Sequence, residues 1–400
     1  MNFLSDRINQ LAESETLAMT RRSRELRAQG FDVINLSIGE PDFNTPEHVK
    51  TAAKLAIDQN YTHYPPVPGY PELRQAIANK LKRDNNLVYS PEQIVVSTGA
   101  KQSLANAILC LVNPGEEVLI PAPYWVSYKE IIKLAEAQGV YIEGMIDHDF
   151  KVTPEQVEAA ITPKTKLFLF SSPCNPTGSV YSREELKAFA DIFEKHQQMF
   201  IISDEIYEHI NFLGHHESIA QFEHIRDRVI IINGLSKGFA MTGWRLGYLA
   251  ARVEIAKACD KLQGQITSGT CSITQRAAIT AIDTDPAQSA DIKNMVQAFC
   301  HRRDLALALL KEIPGLRTNV PDGAFYLFPE VVKYIGKSYG DRVIHSSSDL
   351  CDYLLDTAYV AIVPGVAFGA VDCIRISYAL SEELLREAIH RIGDALAKLQ

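Results

Sequence analysis

The chain is expected to form an α/β fold, with a large, mostly parallel sheet between helices and a smaller α+β domain. Three observations predict it. Short runs that are apolar throughout alternate with helical patterns from about residue 94 to 250. The pattern changes character after about residue 290. And 400 residues exceed what one hydrophobic core ordinarily serves.

Ile94–Val96, Val118–Ile120, Leu167–Phe170, Phe200–Ile202 and Val229–Ile232 are the apolar runs. Such runs suit strands buried on both faces of a parallel sheet. Helices lie between them. Ser182 and Glu185 form a capping box, and the helix they open carries Leu186, Phe189, Ala190 and Phe193 on one face. Alternation of this kind favours right-handed crossovers. Further on, residues 291–310 read as a long helix, and GAFYLFP, residues 359–363 and residues 373–378 as strands. Ser381 opens a final helix, with Glu382 and Glu383 suited to its first turn. The expected division is an N-terminal segment over residues 1–45 joining the small domain, a large domain over 46–288, and the small domain over 289–400.

Composition narrows the function. Hydrophobic residues make up 46% and charged residues 22%, an ordinary globular balance. A net charge of −9 gives no electrostatic footprint for nucleic acid. The 7 cysteines show no CxxC pair and an odd count, which fits a reducing cytoplasm rather than a disulfide framework or a structural zinc site. The N-terminal residues lack an apolar signal core, and no apolar run approaches the roughly 18 residues of a membrane span. His215-His216 raises the thought of a metal, but no acid or cysteine pattern accompanies the pair in sequence, so a solvated loop and no metal are expected. No G-x-G-x-x-G follows a strand and no Walker A pattern occurs, which disfavours a nicotinamide dehydrogenase or an NTPase.

Chemistry gathers where the strands end, and ligands of open parallel sheets bind there. The residues in question lie in STGAK (97–101), PAPYW (121–125), SSPCNPTG (171–178), SDEIY (203–207) and NGLSK (233–237). Together they offer a helix N-terminus, an aromatic plate, an amide, a carboxylate with a phenol, and an amine. Each has a use in holding a phosphorylated pyridine aldehyde. Lys237 can form an imine with the aldehyde once desolvation frees its amine. Asp204 can bond a protonated ring nitrogen, which keeps the ring an electron sink. Trp125 can stack on the ring, and Asn175 and Tyr207 can bond its hydroxyl. The Gly99-Ala100 turn offers backbone donors to a phosphate, Arg245 can chelate it, and Ser236 can add a hydroxyl. Singly these residues have plainer readings. Lys237 can be a solvated rim residue, Trp125 core packing, and Asp204 a helix cap.

SKGFAMTGWRLGY, SSPCNPTG, SDEIYEHI, PAPYWVSY and SIGEPDF, met in that set, resemble the class I aminotransferases of fold type I, the pyridoxal-phosphate enzymes, and within them the bacterial aspartate aminotransferases of subgroup Ib. The likeness runs from LSIGEP (36–41) to RISY (375–378). It implies Lys237 as the Schiff-base lysine and sole catalytic residue, and pyridoxal 5'-phosphate as cofactor. It implies cofactor contacts from Gly99, Ala100, Lys101, Trp125, Asn175, Asp204, Tyr207, Ser236 and Arg245. It implies Arg375 on the substrate α-carboxylate, with Gly39, Lys101, Trp125 and Asn175 beside it. Tyr64 matches a tyrosine that reaches the phosphate of a neighbouring subunit, so a homodimer with shared sites is implied. Two positions depart from relatives. Cys174 stands where many have another small or amide residue, and Gly234 where some have a phosphate-binding serine.

The expected reaction moves an amino group between aspartate or glutamate and a 2-oxo acid such as 2-oxoglutarate, in ping-pong steps. Arg375 grips a carboxylate that every amino acid carries, so selectivity for a dicarboxylate needs a second cation. Lys101 is the candidate, because a lysine in G-x-K-Q is linked to acidic substrates in the similar enzymes, and Thr16 lies in a stretch that can close over that end. Lys101 solvating a helix start is the plainer reading. Prephenate, also a dicarboxylate, and aromatic substrates are the alternative on the same scaffold.

Overall fold

The computed structural model describes residues 3–400. At its centre is a seven-stranded sheet of β1 Ile94–Ser97, β2 Glu117–Ala122, β3 Gln138–Glu143, β4 Thr165–Ser171, β5 Phe200–Asp204, β6 Val229–Gly234 and β7 Gly247–Ala250. In space the order is β1-β7-β6-β5-β4-β2-β3. All neighbouring pairs are parallel except those made by β7, which runs antiparallel to both β1 and β6. The five apolar runs are five of these strands. β4 and β6 are buried almost throughout, on two cores that lie on opposite sheet faces.

Two strands escaped the sequence pattern. β3 is an edge strand with exposed Gln138, Tyr141 and Glu143, so it lacks a continuous apolar run. β7 is short, and its GYLA overlaps the end of SKGFAMTGWRLGY. Its fit against β6 is close. A Cβ on Gly247 would lie 2.1 Å from the Ala100 nitrogen, so only glycine lets the strand pass the start of the helix Ala100–Leu111.

A third core joins residues 19–36 to residues 295–399. Ile34–Asn35 pairs in parallel with Val360–Ala361. The helix Glu15–Ala28 is tied to the helix Ser347–Ala358 by Arg22, which pairs with Asp352 and lies 3.3 Å from Asp356. A three-stranded antiparallel sheet sets Ile374–Ser377 between Val363–Pro364 and Tyr326–Leu327. The long helix runs Ala290–Lys311, and the last, Glu382–Leu396, is capped by Ser381. The capping box at Ser182 and Glu185 is formed as the sequence reads. No described helix is long and apolar enough to cross a membrane.

Candidate active site

The carboxyl ends of β1, β2, β4, β5 and β6 lead into one cavity of about 420 Å³. After β1, Gly99 has φ of 86°, a conformation that residues with a Cβ rarely adopt. A Cβ there would also meet Arg245 Nη2 at 2.4 Å, so the guanidinium lies directly on the turn. Arg245 donates to Thr242 O at 2.8 Å and has no acidic partner among the described residues. The N–H groups of Ala100 and Lys101 open the helix without an acceptor among those residues. Unpaired first-turn donors beside an unpaired guanidinium make an anion site. Lys101 Nζ sits 4.9 Å from the centre of the Trp125 ring. Burial lowers its pKa, and Arg245 adds to the effect.

Lys237 lies three residues past β6. Its Nζ donates to the carbonyl of Gly39. Burial first, then the charge of Arg375, pushes the amine down to about 8. A usable fraction is therefore neutral near physiological pH. Gly39 is itself constrained, since a Cβ would stand 2.7 Å from Tyr326 Oη.

Asp204 closes β5 and is 5% exposed. Tyr128 Oη donates to its Oδ2 at 2.7 Å and the Ile206 N–H to its Oδ1 at 3.3 Å. Burial outweighs these bonds and raises the carboxyl to about 6. Tyr207 and Tyr326 share a hydrogen bond of 2.8 Å between their hydroxyls.

Arg375 is 2% exposed. It donates to Asn175 Oδ1 at 3.1 Å and to Ser37 O at 2.7 Å, while its Nε has no partner. The Tyr326 and Phe368 rings lie 4.5 and 4.9 Å from the guanidinium carbon. No carboxylate pairs with it among the described residues. A buried cation in that state is costly until an anion arrives.

Every residue expected at the site lines this cavity except Gly99, which packs beneath Arg245, and Tyr64, which lies outside it and is 96% exposed. Thr16 also lines it. Sequence reasoning missed Tyr128 and Tyr326. Tyr128 lies three residues past Trp125, one helical turn on, and that spacing was the available signal. The reading of His215-His216 as a solvated pair is half overturned. The His215 side chain is 66% exposed, but that of His216 is 6% exposed and faces Glu205 at 3.1 Å. Its loop folds back because Asn211 donates to His215 O and accepts from Leu213 N. Glu205 and Glu208 then approach His216 in space, which no linear spacing reveals.

Residues 32–392 match the family model described as aminotransferase class I and II. The chain belongs to this family. The aminotransferase is 46% identical over 399 residues to a bifunctional aspartate aminotransferase and glutamate/aspartate-prephenate aminotransferase of Petunia hybrida, covering 99% of this chain and 83% of that one. The crystal structure of the aspartate aminotransferase of Rhizobium meliloti superposes with a TM-score of 0.95 at 41% identity, with 99% of each chain covered. That of Thermus thermophilus aspartate aminotransferase with maleate gives 0.93 at 39%, covering 99% of this chain and all of the other. The aminotransferase therefore has the fold of the type I enzymes.

Proposed function

We propose that this aminotransferase uses pyridoxal phosphate to move an amino group between aspartate or glutamate and a 2-oxo acid, as a cytoplasmic homodimer. One observation carries the reading. A partly buried amine, Lys237, shares a single cavity with a buried acid, Asp204, and with two arginines, Arg245 and Arg375, that have no acidic partner among the described residues.

The residues fit that cofactor. Lys237 would hold its aldehyde, and Asp204 its ring nitrogen. A cationic nitrogen beside Asp204 offsets the burial that raises the carboxyl, so the acid works ionised. The unpaired N–H groups of Ala100 and Lys101, with Arg245 and Ser236, would take the phosphate. Trp125 would cover a ring face, and Asn175 and Tyr207 the ring oxygen. When bound, the ring withdraws the electrons left on the substrate α-carbon after deprotonation. Once the incoming substrate amine has displaced it from the aldehyde carbon, Lys237 Nζ would be free and neutral to take the proton from the substrate α-carbon and return it to the product side. Arg375 binds the α-carboxylate and so fixes the Cα–H bond before the amine.

Lys101, with no acidic partner among the described residues, stands ready for a second carboxylate. The names of the relatives support a dicarboxylate: aspartate in each, prephenate in one, and maleate held by the Thermus enzyme. Prephenate is the second reading, favoured by the name of the Petunia relative. The test is a panel of amino donors followed through the cofactor's absorbance, with borohydride trapping. Aspartate and glutamate are expected to react fastest, and the trapped cofactor to be found on Lys237. Equal rates for alanine or phenylalanine refute the dicarboxylate assignment, and cofactor trapped elsewhere refutes the role of Lys237.

A further inference from the structure

Behind Asp204 lies a second group of buried charges that the reaction does not touch. The segment from Asp204 to His209 turns so that residues three apart share a side. Glu208 N donates to Glu205 O at 2.9 Å and Ile210 N to Tyr207 O at 2.8 Å. Asp204 and Tyr207 line the cavity, whereas Glu205 and Glu208 do not, and those two are only 1% and 7% exposed.

Glu205 Oε1 accepts from Ser203 Oγ at 2.9 Å and Ser218 Oγ at 2.6 Å. Its Oε2 makes no hydrogen bond of good geometry, yet stands 3.1 Å from His216 Nε2. Neither ring nitrogen of His216 has a hydrogen-bond partner. Beside this pair, Lys80 from the helix Pro71–Asn85 is 2% exposed and pairs with Glu208, which also accepts from Asn85 Nδ2 at 3.1 Å. His209 Nε2 is 3.5 Å from Glu208, and Asp84, which has Arg83 as its own partner, is 3.9 Å from Lys80.

Lys80 thus answers Glu208, whereas Glu205 has only His216 as an ion-pair partner among the described residues, so a second positive charge is needed. His209 does not supply it, because burial lowers its pKa. At His216 burial acts the same way, but Glu205 outweighs it and raises the pKa. Ligand atoms of Glu205, Glu208 and His216 lie within 4.8 Å of one another, a spacing that also suits a metal ion. Lys80 argues against one, since its ammonium already occupies the Glu208 carboxylate and repels a second cation.

We propose that His216 is a positioning residue: as an imidazolium paired with Glu205, it holds the turn that presents Asp204 and Tyr207 to the cavity. The step to catalysis rests on the reading of Asp204 given above. Without His216, Glu205 keeps its two serine donors but no counter-charge, a buried unpaired carboxylate next to Asp204, and the turn shifts. A displacement of about 1 Å near a reacting group costs roughly 100-fold in rate.

The test uses the full-length holoenzyme, His216→Gln, and the double variant Glu205→Gln/His216→Gln. Expected for the single variant are a kcat for aspartate lowered roughly 10- to 100-fold, KM within about twofold, and a displaced pH midpoint of the cofactor's absorbance. The double variant, with no bare charge, is expected to recover much of the loss. Should the single variant fail to fold, a folded and active double variant supports the inference, and one equally damaged overturns it. Nitrogen NMR of labelled histidine in the wild type reads the charge directly. An imidazolium at His216 at neutral pH is expected, and a neutral ring overturns the inference whatever Asp204 does. One equivalent of bound zinc in the purified protein also overturns it. If instead Asp204→Ala leaves the cofactor's spectrum unaltered, it is the reading of Asp204 that fails.

Discussion

Tyr128 Oη donates to Asp204 Oδ2 across 2.7 Å, and both groups are shut away from water. The bond opposes the burial that raises the Asp204 carboxyl. Tyr128→Phe removes it and leaves a buried acceptor short of a donor. A hydrogen bond to a charged group contributes about 1.5–3 kcal/mol, equivalent to roughly 10- to 150-fold in rate. The aspartate half-reaction is expected to slow by that factor at pH 7 and to recover partly at higher pH, where Asp204 is again ionised. An unchanged pH–rate profile would show that the bond only packs the floor.

Lys237 carries a stability penalty that follows from its burial. Its amine is pushed from 10.5 to about 8 by burial, with Arg375 adding to it. Below pH 8 both folded and unfolded chains hold the proton, and the folded one does so at a cost of about 3 kcal/mol. Between pH 8 and about 10.5 the unfolded chain binds more protons, so stability rises with pH through that window. Lys237→Met in the cofactor-free protein loses the bond to Gly39, worth about 1 kcal/mol. A net gain of about 2 kcal/mol at pH 7 is therefore expected, shrinking towards pH 10, with turnover abolished. Thermal denaturation against pH checks it. A cofactor-free variant less stable than wild type at pH 7 contradicts the desolvation account.

The sheet was legible because its inner strands are buried on both faces. Phe200–Ile202 and Val229–Ile232 admit no polar residue for that reason. β3 lacked the signal because an edge strand needs only one apolar side. The cavity was legible because each of these strands delivers a cavity-lining residue within a few positions of its end, as Asp204 and Lys237 show. Tyr326 was not, because it arrives from a distant strand through the antiparallel pairing Ser377↔Tyr326. The burial of His216 was equally hidden, since it depends on a loop closing over Glu205.

Tyr64, followed by two prolines, is 96% exposed, so its ring stands where another chain can meet it. If it completes a partner's cofactor site across a two-fold axis, mixed subunits expose the fact. A hybrid of Lys237→Ala with Tyr64→Ala subunits is expected to regain one intact site. A hybrid of Lys237→Ala with Arg245→Ala subunits is expected to regain nothing beyond its parents, because both residues serve the cofactor of their own subunit and each site then keeps one lesion. The second hybrid must therefore be scored with a third, in which wild-type subunits replace the Arg245→Ala ones. Full activity from a sedimenting monomer refutes the shared site outright.

Lys101 is expected to decide the substrate. Its ammonium lies over the Trp125 ring at 4.9 Å, lines the cavity and lacks an acidic partner among the described residues. A cation at a helix start is unfavourable to the helix dipole, so something anionic is needed to justify it. The cofactor phosphate and the substrate's side-chain carboxylate are the two candidates, and they predict different patterns. Removing one partner of a desolvated charge pair costs roughly 2–5 kcal/mol, which is about 30- to 3,000-fold in kcat/KM. Lys101→Ser is expected to impose that loss on aspartate and glutamate while sparing alanine and phenylalanine, since Arg375 in its proposed role would still hold the α-carboxylate of all four. The lowered pKa of Lys101, set by burial and by Arg245, adds a second signature. As pH rises through that pKa the ammonium is lost, so the preference for aspartate over alanine is expected to decline in the wild type and to stay flat in the variant. Equal losses on every donor would place Lys101 on the cofactor instead, and the dicarboxylate preference would have to come from elsewhere on the cavity wall.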